Sequence, residues 1–142
     1  MKDYSAENIS FDSNGYPMFM LNRKREALYP VKLKVMGVHN IYNALASIAV
    51  ADILDIPIET IITGLETFKG THRRLELKGY VKGIRIIDDY AHHPTEIKAS
   101  LSALRKSTNS TIWCIFQPHT YTRTKMLLKE FAKSFSQADK VI

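Results

Sequence analysis

Residues 86–97 read Ile-Ile-Asp-Asp-Tyr-Ala-His-His-Pro-Thr-Glu-Ile, which puts three acids and two imidazoles into one short stretch. Carboxylates can bind hydroxyls or cations, and imidazole can give or take a proton near neutrality. The mostly apolar run from Ile84 to Ile87 predicts a short buried strand. Pro94 predicts the first residue of a helix, since its fixed φ suits that position and its missing N–H costs nothing there. The ionisable residues thus fall where a strand ends and a helix begins, the edge of an α/β sheet at which free N–H groups and a positive dipole end receive anions. Taken singly, Asp88 and Asp89 read as turn formers, and His93 as the residue before a helix. Together they read as a site, because several charges of mixed sign are costly to gather at one strand end without a use.

A second polar cluster, Gln117-Pro118-His119-Thr120-Tyr121-Thr122-Arg123-Thr124, follows the apolar run Thr111 to Phe116. That run predicts a parallel strand covered on both faces. Alone, His119 reads as a helix cap and Arg123 as a solvated charge. Two such clusters at neighbouring strand ends would face one crevice. In Gly37-Val38-His39-Asn40-Ile41-Tyr42-Asn43, Asn40 reads as an N-cap. Asn43 offers a donor beside an acceptor, as an adenine edge requires. In Thr71-His72-Arg73-Arg74-Leu75, Arg74 reads as a surface residue of a hinge or as a fork closing on phosphate.

The elements that must carry these groups follow from periodicity. Residues 5 to 36 predict three short antiparallel strands, with Ile9 and Phe11, Met18 and Met20, and Leu33 and Val35 alternating with other residues. The turns fall at Ser13-Asn14-Gly15 and from Asn22 to Glu26, and in the second the triplet Arg23-Lys24-Arg25 reads as solvated charge. Ile41, Leu45, Ile48, Ala49 and Ile53 lie at helical spacing, predicting a largely buried helix over 39–54. A second helix starts at Pro57, carries Ile58, Ile61, Ile62 and Leu65 on one face, and stops before Gly70.

A strand from Leu75 to Val81 opens a new pattern of strand, turn, strand, helix, strand, helix, so a domain boundary is expected near Arg73. The helix from Pro94 to Lys106 turns Ile97, Leu101 and Leu104 inward and Lys98 and Arg105 outward. The helix from about Arg123 to Gln137 buries Met126, Leu127, Phe131 and Phe135. Lys140-Val141-Ile142 reads as a strand that has barely begun, so a chain cut short is expected.

The 142 residues, 45% of them hydrophobic, suffice for a core and are too apolar for a disordered segment. A net charge of +6 favours an anionic partner such as a nucleotide. The basic residues are dispersed, with no basic helix face and no nucleic-acid-binding motif, which argues against nucleic acid or a membrane surface. The single cysteine, Cys114, sits in an apolar run as a small buried hydrophobe, and a reducing compartment fits. The start Met1-Lys2-Asp3-Tyr4 has no apolar leader and no stretch reaches the length of a membrane span, so a cytoplasmic protein is expected.

In this order, the four polar motifs, including His72-Arg73-Arg74, resemble those of the Mur ligase family over about Val31 to Ile142. The resemblance implies an α/β fold, with residues 1–72 as the tail of a central ATPase domain (antiparallel strands plus two helices) and 73–142 as the first half of a Rossmann-like parallel ligase domain. It implies an ATP-dependent amide-bond ligase of peptidoglycan synthesis that phosphorylates a carboxylate and lets an amine attack the acyl phosphate. The substrates implied are UDP-N-acetylmuramate and L-alanine. The alternatives are the member that adds a whole peptide in murein recycling, or a non-catalytic nucleotide-binding module.

By motif, Asn43 would contact adenine, with His39 and Asn40 supporting its turn. Arg74 would approach the phosphates, and Asp89 the ribose hydroxyls. His92, His93, His119 and Arg123 would lie near the amino acid and the acyl phosphate. Some family members carry Arg where this chain has Thr120. The chain has no G-x-x-x-x-G-K-[ST] phosphate loop. The Mg2+ ligands and the nucleotide-sugar domain would therefore belong upstream, and no ligase activity is expected of these residues alone.

Overall fold

The computed structural model describes residues 3–25 and 27–142. Met1, Lys2 and Glu26, which entered the readings of the start and of the second turn, lie outside the described residues. The chain divides into two compact units, Met1–Gly70 and Thr71–Ile142.

In the first unit, strands β1 (Tyr4–Phe11), β2 (Pro17–Arg23) and β3 (Ala27–Lys32) form an antiparallel sheet in that order. The third strand starts earlier than the Leu33 and Val35 alternation predicted. It pairs Phe19 with Val31 and Leu21 with Tyr29, and the pairing runs on through the Leu33 N–H to Pro17 O at 3.0 Å. Alternation turns Phe19, Leu21, Val31 and Leu33 to one face, where they meet helix α1 (Val38–Ile53) and helix α2 (Ile58–Thr67). Ile41, Ala44 and Ile48 of α1 and Ile58 and Ile61 of α2 complete this core.

Only one stripe of α1 is buried, not most of the helix. Ile53, expected inside, is 77% exposed, and Val50 and Leu54 share its open side. The buried stripe continues to Asp52, whose side chain is 2% exposed. Its carboxylate takes Arg23 in an ion pair, Lys24 Nζ at 2.8 Å and the Tyr4 hydroxyl at 2.5 Å. The basic turn is therefore not merely solvated: Arg23 and Lys24 pin the C-terminal turn of α1 to the sheet. The unit ends at Gly70, whose φ of +97° favours glycine and whose missing Cβ leaves room for Val35.

In the second unit, β4 (Glu76–Val81) and β5 (Ile84–Asp88) form an antiparallel hairpin. Lys82 and Gly83 turn it with φ of 49° and 79°, the two positive angles of a type I′ turn. The strand over 84–87 forms as expected, but it is not buried, since Ile84 and Ile86 are exposed. Helix α3 (Pro94–Ser107) packs Ile97 and Leu101 against Ile112 and Phe131. Strand β6 (Trp113–Cys114) pairs in parallel with β7 (Lys140–Val141).

The Thr111 to Phe116 run is covered on one face only: Ile112, Cys114 and Phe116 turn toward the core, while Trp113 and Ile115 are exposed. The last helical stretch breaks at Leu127 into α4 (Tyr121–Met126) and α5 (Leu128–Ser134), and Met126, expected inside, is exposed.

Arg105, expected to point outward, is a clamp. Its guanidinium donates to Gln137 O, to Ser110 O and, at 2.5 Å, to Asp139 Oδ2. Asp139 also accepts the Ile112 N–H at 2.7 Å. That N–H and Arg105 hold its carboxyl below the ordinary range. Among the described residues, no helix is long and apolar enough to cross a membrane.

Two outcomes check this unit-by-unit packing. Replacing Ile48, which has no exposed surface, by Ala should cost about 2–5 kcal/mol in denaturant unfolding. The Asp52 carboxyl titrates below its unfolded value because Lys24, Tyr4 and Arg23 hold the charged form. A depressed folded pKa adds stability above the unfolded carboxylate range, near pH ~4, and that stability is lost as pH falls through the folded pKa. Asp52→Asn should lower the neutral-pH Tm by about 5–10 °C, and the gap to wild type should close on acidification. Equal melts at pH 7 would refute the pinning role.

Candidate functional site

Each unit carries its own set of the predicted residues. In the first unit Gly37, with φ of 98°, occupies the N-cap position of α1, so Asn40 is not the cap. Asn40 sits in the first turn, and its side-chain amide reaches back to Met36 O at 2.8 Å. His39 Nε2 lies 3.3 Å from the same amide nitrogen. Asn43, one turn on and exposed, donates to Asn40 Oδ1 at 3.0 Å. That bond uses one of its two N–H hydrogens. It leaves a second hydrogen and the carbonyl oxygen open, a donor and an acceptor of the kind an adenine edge needs.

In the second unit the connecting segment 71–75 is tied to the loop after β5. Arg73 O accepts the Tyr90 N–H at 2.8 Å, and the Arg73 guanidinium lies 3.3 Å from Asp88 and 4.8 Å from the Tyr90 ring centroid. Asp89 Oδ2 accepts the Leu75 N–H at 2.8 Å, and Oδ1 accepts the Ala91 N–H at 2.7 Å. Both oxygens keep a further lone pair for a hydroxyl donor. Asp89 is thus a turn former and remains a candidate ligand group. Arg73 N–H, Lys78 and His72 bring the Glu76 carboxyl down to about 2. The Arg73 N–H to Glu76 Oε2 bond, 2.8 Å long, braces the turn in which Arg73 and Leu75 hold φ of 56° and 47°.

His93 is the N-cap of α3, its Nδ1 accepting the Thr95 N–H at 3.3 Å, while the Glu96 side chain closes the reciprocal half of a capping box. Glu96 Oε2 accepts the backbone N–H groups of His92 at 3.0 Å and His93 at 3.2 Å. It also lies 3.6 Å from His92 Nδ1, and Oε1 lies 3.8 Å from Arg74 Nη1. Burial pushes the Glu96 carboxyl up, but the two N–H groups, His92 and Arg74 outweigh it and hold it low.

The two clusters do not end neighbouring strands. Strand β5 pairs with β4, and β6 with β7. They are related instead through the core: Ala91 of the first loop and Phe116 at the start of the second pack on the same cluster of Ile97, Leu101, Ile112 and Phe131. Thr120, not His119, occupies the N-cap position of α4. The His119 and Arg123 side chains hold no hydrogen bond or ion pair among the described residues. Burial raises the Cys114 thiol, in keeping with a packing role. Among the described residues, no group of three His, Cys, Asp or Glu is arranged to hold a metal ion.

Sequence reasoning assigned no role to Glu96, Asp52 or the Arg105 clamp. Glu96 had a signal, as an acid at the third position of a helix starting with Pro.

The first turn of α1 and the strand-to-helix loop rich in acid and imidazole are the two polar clusters that this α/β scaffold positions. Residues 73–142 match the family profile described as Mur ligase, glutamate ligase domain. The chain belongs to the Mur ligase family. It is 54% identical over 139 residues to the UDP-N-acetylmuramate–L-alanine ligase of Acetivibrio thermocellus, covering 98% of this chain and 30% of that protein. To its namesake in Clostridium kluyveri it is 51% identical over 140 residues, or 99% of this chain and 31% of that one.

Among solved structures, UDP-N-acetylmuramate–alanine ligase from Thermotoga maritima superposes with a TM-score of 0.84 at 35% identity, over 98% of this chain and 31% of that one. The murein peptide ligase of Psychrobacter arcticus gives 0.67 at 34% identity, over 99% and 29%. The chain thus spans about 30% of the length of the curated relatives it matches.

If Asp89 holds this loop as the bonds indicate, Asp89→Ala should cost the second unit about 1–3 kcal/mol, because two backbone N–H groups lose their acceptor. Asp89→Asn, which keeps one acceptor oxygen, should cost less. Denaturant titration followed through Trp113 reports both.

Proposed function

We propose that this chain is part of an ATP-dependent ligase that joins L-alanine to UDP-N-acetylmuramate in cytoplasmic peptidoglycan synthesis. The observation that carries the reading is 54% identity, over 98% of the chain, to a protein named for that reaction. The namesake in Clostridium kluyveri, at 51% identity over 99% of the chain, supports alanine rather than a peptide as the added group.

Each unit, taken by itself, offers groups of the kind a nucleotide uses. Asn43, braced by Asn40, would read adenine through its free N–H and its carbonyl. Asp89 would accept the ribose hydroxyls on the lone pairs left by the Leu75 and Ala91 N–H groups. Arg74, held loosely against Glu96, has further N–H groups for the phosphates. ATP supplies the phosphoryl group that activates the carboxylate. His92, His93, His119 and Arg123 would serve the amino-acid and acyl-phosphate end. The described residues do not fit a metal, so Mg2+ would be held by other parts of the ligase. What these side chains contribute is position and charge neutralisation.

The test is ADP release by the full-length ligase given ATP, UDP-N-acetylmuramate and either L-alanine or the cell-wall tripeptide. Release with alanine is expected. Release with tripeptide alone would move the protein to murein recycling. Asn43→Ala should weaken ATP binding about 10- to 100-fold in calorimetry while leaving the melt unchanged. Unchanged affinity would remove Asn43 from the site.

A further inference from the structure

His92 and His93 are adjacent, yet each ring makes its hydrogen bond through Nδ1 with a backbone partner of opposite kind. His92 Nδ1 lies 2.9 Å from Tyr90 O. A carbonyl only accepts, so this bond forms only while His92 carries its proton on Nδ1. His93 Nδ1 lies 3.3 Å from the Thr95 N. A backbone N–H only donates, so His93 must leave Nδ1 bare and, when neutral, carry its proton on Nε2. The neighbouring imidazoles therefore hold opposite tautomers. Neither Nε2 has a protein partner among the described residues: on His92 it is a lone-pair acceptor, and on His93 an N–H donor.

Glu96 is the group that stabilises this polarity. Capping α3 requires only the bond from the His93 N–H. The second bond to the His92 N–H, the carboxylate oxygen 3.6 Å from His92 Nδ1 and the 3.8 Å approach of Arg74 go beyond a cap. A carboxylate on that side of the His92 ring favours the Nδ1–H form, and the edge-on Tyr90 ring, 5.2 Å away, restrains the ring plane.

We propose that Glu96 is a positioning residue that sets this donor and acceptor pair, with His92 Nε2 presented to an N–H donor and His93 Nε2–H to an anionic oxygen. Resting on the ligase reading above, this divides the pair between the incoming amine and the carboxyl or phosphoryl oxygens it attacks.

Long-range 1H–15N NMR of the 142-residue chain, at a pH where both rings are neutral, tests it. His92 should show a protonated Nδ1 and a bare Nε2, and His93 the reverse. Glu96→Gln keeps an oxygen for the cap, so it should stay folded with His93 unchanged, while His92 shifts toward a mixture of tautomers. Glu96→Asp, too short to reach the ring, should do the same.

The same tautomer on both rings would overturn the proposal, as would a His92 signal indifferent to both substitutions. The ligase reading is tested separately, by ADP release from the full-length ligase. Opposite tautomers in the chain with no ADP release by the full-length protein would sink the ligase reading and leave the pair standing.

Discussion

Asp52 puts a carboxylate on the inner stripe of α1, four residues beyond fully buried Ile48, and the geometry of the first unit depends on how that charge is met. An acid without water needs donors within reach, or its desolvation outweighs what the stripe gains by packing. Arg23 ends β2, Lys24 opens the turn after it, and the Tyr4 hydroxyl comes from the start of β1. One residue therefore links two parts of the sheet to the far end of the helix. Apolar contacts alone let a helix slide or rotate on a sheet, while a three-partner carboxylate has one register. Asn40 and Asn43 sit at the other end of the same helix, so the register of Asp52 also fixes where their amides stand.

The second unit solves similar problems with shorter-range acids. Asp139 joins the Ile112 N–H to Arg105, tying β6, α3 and the approach to β7 at one oxygen. Glu76 and Asp89 gather the backbone N–H groups of the 71–75 segment, whose left-handed residues leave them without regular partners. In each case a carboxylate satisfies N–H groups that no helix or sheet ladder can take. Asp89 and Glu96 belong to the strand-to-helix motif itself, so charges that make the sequence look catalytic also hold its loops.

That double use explains how much was legible in the sequence. The three antiparallel strands, the α1–α2 pair and the Pro94 helix start follow from periodicity and proline chemistry, which are local. The burial of the second unit's strands was not legible. Ile84, Ile86, Trp113 and Ile115 are as apolar as core residues, and composition does not record whether a partner covers a strand face. The Arg23-Lys24 turn was misread because a basic triplet in a hairpin is usually solvated. The correcting signal lay at Asp52, an acid on an otherwise apolar helical stripe, which demands a cation from elsewhere in the chain. The polar motifs themselves were visible at once. The crevice expected between neighbouring strand ends does not form, because β5 and β6 belong to different sheets.

The same logic separates the structural from the functional use of a polar motif. Asn43 spends one hydrogen on Asn40 and keeps the pair an adenine edge needs. Asp89 gives each oxygen once and keeps a lone pair on both. His92 and His93 each commit Nδ1 to the backbone and keep Nε2. In every instance the structural bond leaves the remaining valence aimed and of known polarity. A side chain free to rotate would lose that order on binding, at a cost in rotamer entropy. Structural engagement of these residues thus supports their candidacy as ligand groups, because each bond removes a motion that a ligand would otherwise have to arrest.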